Sequence, residues 1–63
     1  MNADFQKNNR PFLLIVDDDE VFSEVLADAL LNRGYQVATA YTAQDGFKQA
    51  ERNEPEYAVV DLY

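Results

Sequence analysis

The fold of this chain is decided by one stretch of its sequence, Phe12-Leu13-Leu14-Ile15-Val16-Asp17-Asp18-Asp19. Five apolar residues, several of them β-branched or aromatic, come directly before three aspartates. A short, continuous apolar run of this kind is typical of a strand that is buried on both faces, as in a parallel sheet. We therefore predict a central strand over 12–16 whose carboxyl end carries an acidic turn.

An amphipathic helix is predicted directly after the acidic turn, from about Glu20 to Asn32. Its apolar residues fall at i, i+3, i+4, i+7 and i+8, a stripe that we expect to face the core. The stripe consists of Phe22, Val25, Leu26, Ala29 and Leu30. Asp19 at the start favours the helix dipole, and Gly34 is placed to adopt a left-handed conformation just after the end.

The rest of the chain repeats this alternation of strand and helix. A second strand is predicted over 35–41, a second helix from the N-cap Thr42 to about Asn53, and a third strand over 57–62. Short connections between alternating strands and helices indicate a parallel α/β sheet with right-handed crossovers. Residues 1–10 are polar, and we expect them to form a disordered arm.

Composition excludes several classes of function. The chain has 63 residues, a net charge of −7, and neither cysteine nor histidine. Disulfides and the usual zinc ligands are therefore excluded, and the absence of cysteine is in keeping with a cytoplasmic location. The acidity argues against nucleic-acid contact by this segment. No apolar run approaches the roughly 20 residues that span a bilayer, so we expect no membrane partner.

A second acidic position, Asp61, follows the third apolar run. If the first and third strands are neighbours in a sheet of order 2-1-3, Asp17, Asp18 and Asp61 meet at one edge, where doubly wound sheets bind ligands. Carboxylates that lie so close together repel one another, so they need a divalent cation, a proton, or a phosphoryl group with its metal between them. Asp61 is the best-placed nucleophile towards phosphorus. The plainer alternative is an acidic turn that only caps a helix. Asp19 fits the role of a helix cap better than the role of a metal ligand.

Three motifs in this order resemble the receiver domain of bacterial two-component response regulators. They are Leu14-Ile15-Val16-Asp17-Asp18-Asp19, Asn32-Arg33-Gly34-Tyr35 and Ala58-Val59-Val60-Asp61-Leu62. The resemblance covers Pro11 to Tyr63 and is greatest to the redox-responsive, photosynthesis-type regulators that carry a C-terminal helix-turn-helix output domain. It implies that residues 11–63 are the N-terminal half of a receiver domain, that is, the first half of a flavodoxin-like sheet cut before a fourth strand.

The resemblance also implies roles for individual residues. Asp61 matches the aspartate that a sensor histidine kinase phosphorylates, Asp18 the direct ligand of Mg²⁺, and Asp17 its partner, which acts through water. Asp61 and the backbone carbonyl of Tyr63 complete the implied metal site. The chain would then be a phosphoacceptor and not an enzyme, and DNA would be bound only through an output domain outside this segment.

A receiver also needs a Ser or Thr that ends a fourth strand and a Lys that ends a fifth. Neither strand is present in these residues, so we expect this chain alone to be phosphorylated poorly or not at all. We also expect it to self-associate through the exposed edge of the third strand, which offers unpaired backbone groups. A self-associating half-domain without activity is therefore one alternative to the phosphoacceptor.

An enzymatic alternative comes from the segment Asp17-Asp18-Asp19-Glu20-Val21. It satisfies the Asp-x-Asp-x-Thr/Val pattern of haloacid-dehalogenase-type phosphatases, in which Asp17 would be the nucleophile and Asp19 the general acid. This hypothesis leaves Asp61 without a role, and we rank it below the receiver.

Overall fold

Five elements alternate along the chain in the order strand, helix, strand, helix, strand. They are β1 (Phe12–Asp17), α1 (Glu20–Asn32), β2 (Gln36–Ala40), α2 (Ala43–Asn53) and β3 (Tyr57–Asp61). The computed structural model describes residues 10–62. The predicted arm over 1–10 lies outside this range except for Arg10, and the predicted metal ligand Tyr63 lies outside it as well.

The sheet has β1 at its centre. β1 pairs in parallel with both neighbours, and the strand order is β2-β1-β3. The predicted α/β topology and order 2-1-3 are confirmed. Because the order reverses at β1, the right-handed crossovers place α1 and α2 on opposite faces of the sheet. β1 is buried from Leu13 to Asp17, as expected for a central parallel strand.

Both helices begin and end close to the residues that the sequence predicts, and capping residues lie at their ends. The Asp19 carboxylate accepts a hydrogen bond from the Phe22 N–H at 3.0 Å, and the Thr42 hydroxyl accepts one from the Asp45 N–H at 3.1 Å. Each bond satisfies a backbone donor that has no partner within its helix. Gly34 follows α1 with a φ of 96°, and Glu54 ends α2 with a φ of 48°.

A cluster of buried apolar residues lies between the sheet and α2. Leu14, Val16 and Ala40 are buried there, and Ala50 of α2 packs against them. A Cβ placed on Gly46 would lie 2.9 Å from Cγ2 of Val16, closer than side-chain carbons normally approach. The absence of a side chain at Gly46 therefore lets α2 sit close to β1.

The predicted apolar stripe of α1 is partly wrong. Leu26 and Leu30 are half-buried as predicted, but Phe22 and Val25 are 49% and 65% exposed, and Ala29 is exposed too. The fully buried residue of the helix is Ser23. Apolar residues occur on several faces of α1, so their spacing does not single out the inward one. The helix presents the face with the small side chain of Ser23 to the sheet.

β3 lies at an exposed edge of the sheet, as predicted, and its five residues are all exposed. Both helices contact β1 and β2, whereas neither packs on β3 among the described residues. Phe47 of α2 is 73% exposed and lines an apolar cavity together with Val60 of β3. Within residues 10–62, no helix is long and apolar enough to cross a bilayer.

Candidate functional site

Two aspartates lie side by side at the carboxyl edge of the sheet. Asp17 is the last residue of β1 and Asp61 the last of β3, and the two are register partners. Partners on adjacent parallel strands project to the same face, and the strands lie about 4.8 Å apart. The sheet thus places two carboxylates next to each other at the point where the strand order reverses, which is where open α/β sheets bind ligands.

The two carboxylates have different surroundings. Asp17 is only 4% exposed, and its Oδ1 accepts a hydrogen bond from the Asp19 N–H at 2.9 Å. This bond closes a tight turn between β1 and α1 and holds the buried carboxylate in place. Asp61 is exposed. An exposed carboxylate beside a fixed, buried one is open to an incoming group, as a nucleophile must be.

The other two aspartates of the acidic turn have separate positions. Asp18 is exposed in the turn that follows β1. Asp19 is the N-cap of α1, since its side chain accepts from Phe22 and its carbonyl oxygen accepts from the Ser23 N–H at 3.0 Å. The prediction that Asp19 caps the helix is confirmed. The bond from the Phe22 N–H engages the carboxylate that a phosphatase would use as its general acid.

The predicted Mg²⁺ ligands are suited to that ion by their chemistry, because Mg²⁺ prefers carboxylate oxygens and backbone carbonyls. The sheet pairs only two of them, Asp17 and Asp61. Across residues 10–62, no three acidic side chains come together closely enough to hold a metal ion. Asp18 follows Asp17 in the sequence, but its side chain does not form a three-carboxylate metal cluster with Asp17 and Asp61.

An apolar cavity lies apart from the carboxylates. It has a volume of about 180 Å³ and is formed by β1, α2 and β3, with Val16, Phe47 and Val60 among its lining residues. No acidic side chain lines it. Since side chains alternate along a strand, Val60 faces α2 and Asp61 faces the opposite side of the sheet. The cavity is therefore apolar and lies on the opposite face of the sheet from the Asp61 side chain.

Ser23 was not among the residues selected from the sequence. Its side chain is 0% exposed, and its Oγ has no hydrogen-bond partner among residues 10–62. A buried hydroxyl without a partner is unusual, because it loses its bonds to water without replacing them. A signal for its burial is present in the sequence, since Ser23 lies three, four and seven residues before Leu26, Ala27 and Leu30 and shares a helix face with them.

Comparison with known proteins identifies the relatives of this chain. The photosynthetic apparatus regulatory protein RegA of Rhodovulum sulfidophilum is 46% identical over 59 residues, which are 94% of this chain and 32% of that protein. The acid tolerance regulatory protein ActR of Sinorhizobium medicae is 44% identical over 50 residues, 79% of this chain and 26% of the relative. These relatives are response regulators, and their similarity to this chain supports a receiver-domain fragment of the photosynthesis-type regulators.

A third relative is less similar in sequence. The transcriptional regulatory protein AfsQ1 of Streptomyces coelicolor is 35% identical over 52 residues, 82% of this chain and 23% of that protein. The chain spans about a third or less of the length of each of these response regulators. No protein-family model matches it, and no solved structure matches it.

One expectation from the receiver resemblance is corrected here. The resemblance implies a phosphoacceptor that is not an enzyme, but similarity to response regulators does not exclude an enzymatic role. The physical reason lies in the site itself. Paired carboxylates at a strand edge are also the groups with which phosphoryl-transfer enzymes form aspartyl phosphates, so their presence cannot separate the two classes.

Proposed function

We propose that this chain is the phosphoacceptor part of a two-component response regulator, with Asp61 as the residue that receives the phosphoryl group. The pairing of Asp61 with Asp17 at the carboxyl edge carries the proposal, because it sets an exposed carboxylate beside a buried one. The homology with RegA and ActR supports the same assignment. The donor would be a sensor histidine kinase in the cytoplasm.

In the proposed reaction a carboxylate oxygen of Asp61 forms a bond to phosphorus while the bond from phosphorus to the donor nitrogen breaks. Asp17, held by its bond from Asp19, keeps a fixed negative charge beside the acceptor. Asp17, Asp18, Asp61 and the carbonyl of Tyr63 would hold Mg²⁺. The chemistry that the bound ion supplies is neutralisation of charge on the transferring oxygens.

Two further partners belong to this proposal. DNA would be bound by an output domain outside these residues, in keeping with the transcriptional role in the name of AfsQ1. The 63-residue chain itself would self-associate through β3, whose residues are exposed throughout. An open strand edge offers N–H and C=O groups that another strand can pair with.

A phosphatase that uses Asp17 and Asp19 is the second candidate. The pattern Asp-x-Asp favours it, whereas the structure gives Asp19 the role of a helix cap and buries Asp17. A nucleophile that is 4% exposed is hard for a phosphoryl donor to reach. We therefore rank the phosphatase below the phosphoacceptor.

The test is phosphorylation of the chain by a small phosphoramidate in the presence of Mg²⁺, followed by intact mass spectrometry. We expect slow, substoichiometric labelling that disappears in Asp61→Asn and without Mg²⁺. Asp28→Asn serves as the matched control, since Asp28 is an exposed acid in the middle of α1, far along the chain from the acidic edge. Labelling that survives Asp61→Asn and is lost in Asp17→Asn would refute the phosphoacceptor and favour the phosphatase candidate.

A binding measurement tests the metal site without relying on phosphorylation. A ligand that binds only the folded chain raises its unfolding free energy, by about 2.7 kcal/mol when present at 100 times its dissociation constant. We expect Mg²⁺ to raise the melting temperature of the unsubstituted chain and of Asp28→Asn, but not of Asp18→Asn. An equal rise in all three proteins would show that the acidic edge is not the site.

A further inference from the structure

β2 is the outer strand of the sheet on the side away from β3. Among residues 10–62 its strand neighbour is β1 alone. In a flavodoxin-like sheet of order 2-1-3-4-5 the further strands are added next to the third one, so β2 stays at the outside whatever follows β3. The outer edge of β2 is therefore a permanent feature of this fold.

The backbone groups of alternate residues in β2 point to this outer edge. The Gln36 N–H donates to the Pro11 carbonyl at 2.9 Å, so Gln36 turns its backbone groups towards β1. Since these groups alternate in direction along a strand, Ala38 also turns them towards β1, whereas Val37 and Thr39 turn theirs outwards. The N–H and C=O groups of Val37 and Thr39 are thus offered to a further strand.

β2 itself carries none of the usual devices that prevent pairing at an outer edge. Such strands are normally protected by lysines, prolines, bulges or inward-pointing charges. The segment Gln36–Ala40 has no charged residue and no proline, and its register with β1 runs without a bulge. Another part of the chain therefore has to cover the outward groups.

Gln49 of α2 reaches this edge. Its side-chain Nε2 donates to the Thr39 carbonyl oxygen at 2.8 Å, and the same nitrogen lies 3.4 Å from Oδ2 of Asp45. The two N–H groups of the amide thus have one acceptor each. Asp45 is held in turn, because its backbone N–H donates to the Thr42 hydroxyl. The start of α2 thereby fixes the amide of Gln49 on an outward carbonyl of β2.

We propose that Gln49 is an edge cap, that is, a side chain that keeps β2 from pairing with β2 of a second copy of this chain. This role is independent of phosphoryl transfer and of β3. The outward groups all find partners in an antiparallel pair in which Ala38 lies opposite Ala38 of the second copy and Val37 opposite Thr39. Half of the hydrogen bonds in that pair would go to the two Thr39 carbonyls, which the edge cap occupies.

A second copy fits this edge once the edge cap is removed. Both helices contact β1 and β2. Paired strands lie about 4.8 Å apart, so the matching helices of the two copies would be about 10 Å from each other, the usual distance between packed helices. With Gln49 in place, its side chain lies in this gap. The edge cap therefore decides between a separate sheet and one shared by two copies.

Nuclear magnetic resonance of the side-chain amides tests the edge cap directly. Gln44 is an exposed glutamine of the same helix and serves as the reference. We expect the amide protons of Gln49 to exchange with water more slowly than those of Gln44, because one of them is bonded to the Thr39 carbonyl. Equal exchange rates of the two amides would overturn the edge cap.

Sedimentation equilibrium of matched variants tests what the edge cap does. Gln49→Met keeps the length of the side chain but removes its donor, and Gln44→Met makes the same change on an exposed part of α2. We expect Gln49→Met to raise the association constant about tenfold, a change of about 1.4 kcal/mol, and Gln44→Met to leave it unchanged. No rise in Gln49→Met, or an equal rise in both folded variants, would contradict the proposal.

Single-cysteine variants locate the contact, because the chain has no cysteine of its own. Opposed residues in an antiparallel pair have Cα atoms about 4.5–5.5 Å apart, within the range of a disulfide. Under mild oxidation we expect Ala38→Cys to cross-link with itself in the Gln49→Met background but not in the Gln44→Met background. A mixture of Val37→Cys and Thr39→Cys gives the same test if a cysteine at position 38 disturbs the core.

Val59→Cys separates this contact from self-association through β3. Its cross-linking should be the same in the Gln49→Met and Gln44→Met backgrounds, because Gln49 does not touch β3. A gain at Val59→Cys without a gain at Ala38→Cys would place the new contact on β3 and overturn the edge cap. Labelling of Asp61 is judged separately from all of these measurements.

Discussion

Asp17 and Asp61 end adjacent parallel strands as register partners, although one carboxylate is buried and the other is exposed. Neither helix covers the strand that carries Asp61. The arrangement therefore combines a fixed charge on the central strand with an accessible charge on an edge strand. Two like charges held this close cost stability in the absence of a counter-charge, and this cost can be measured.

Asp61→Asn should raise the free energy of unfolding by about 0.2–1 kcal/mol in low salt without divalent cations, because it removes the repulsion from Asp17. Asp17→Asn should have a smaller net effect, since Asn keeps an oxygen that can accept from the Asp19 N–H. Urea unfolding of both single variants and the double variant gives the coupling energy. Additive effects would show that the two carboxylates do not interact.

Ser23→Ala should stabilise the chain by about 1 kcal/mol. The substitution removes a buried hydroxyl that has no partner and introduces a better helix former. Thermal unfolding followed by circular dichroism measures the change. Ala27→Ser, on the same face of α1, is the converse control and should destabilise. A loss of stability in Ser23→Ala would show that the hydroxyl is satisfied, for example by an ordered water.

Gly46→Ala should destabilise the chain by about 1 kcal/mol, even though Ala normally favours a helix over Gly by about that amount. The new Cβ would press on the Val16 side chain at 2.9 Å, and overpacking of this kind typically costs about 1–3 kcal/mol. In a Val16→Ala background the obstacle is gone, so the same change at Gly46 should become stabilising. If the sign does not reverse between the two backgrounds, the close contact is not the cause.

Asp19→Ala should cost about 0.5–2 kcal/mol, whereas Asp19→Ser should cost much less because serine also caps helices. The reason is the bond that the Asp19 carboxylate accepts from the Phe22 N–H. Urea unfolding measures both variants. The serine variant should also keep any phosphorylation of the chain, which distinguishes a cap from a general acid. Loss of labelling in a fully folded Asp19→Ser chain would favour the phosphatase candidate.

The order and bounds of the elements could be predicted because they depend on local signals. Thr42 and Asp19 cap the helices as their residue types suggest, and Gly34 adopts the positive φ expected after α1. The pairing of Asp17 with Asp61 followed from the strand order alone. These features need only the neighbouring residues and the rules of parallel sheets.

The inward face of α1 could not be predicted, since it depends on packing and not on hydrophobicity. Val25 is more hydrophobic than Ser23, yet Val25 is exposed and Ser23 is buried. The position of Asp18 depends on the turn after β1, whose shape the sequence pattern does not specify.

The lack of helix contacts on β3 has a consequence for the motions of the chain. Its hydrogen bonds to β1 are the main attachment of this strand, whereas β1, β2 and the two helices hold one another through several packed surfaces. Local opening should therefore begin at β3, and its amides should exchange with deuterium before those of β1. Any ligand that bridges Asp17 and Asp61 would have to close this opening, so occupancy of the acidic edge should slow exchange along the whole of β3.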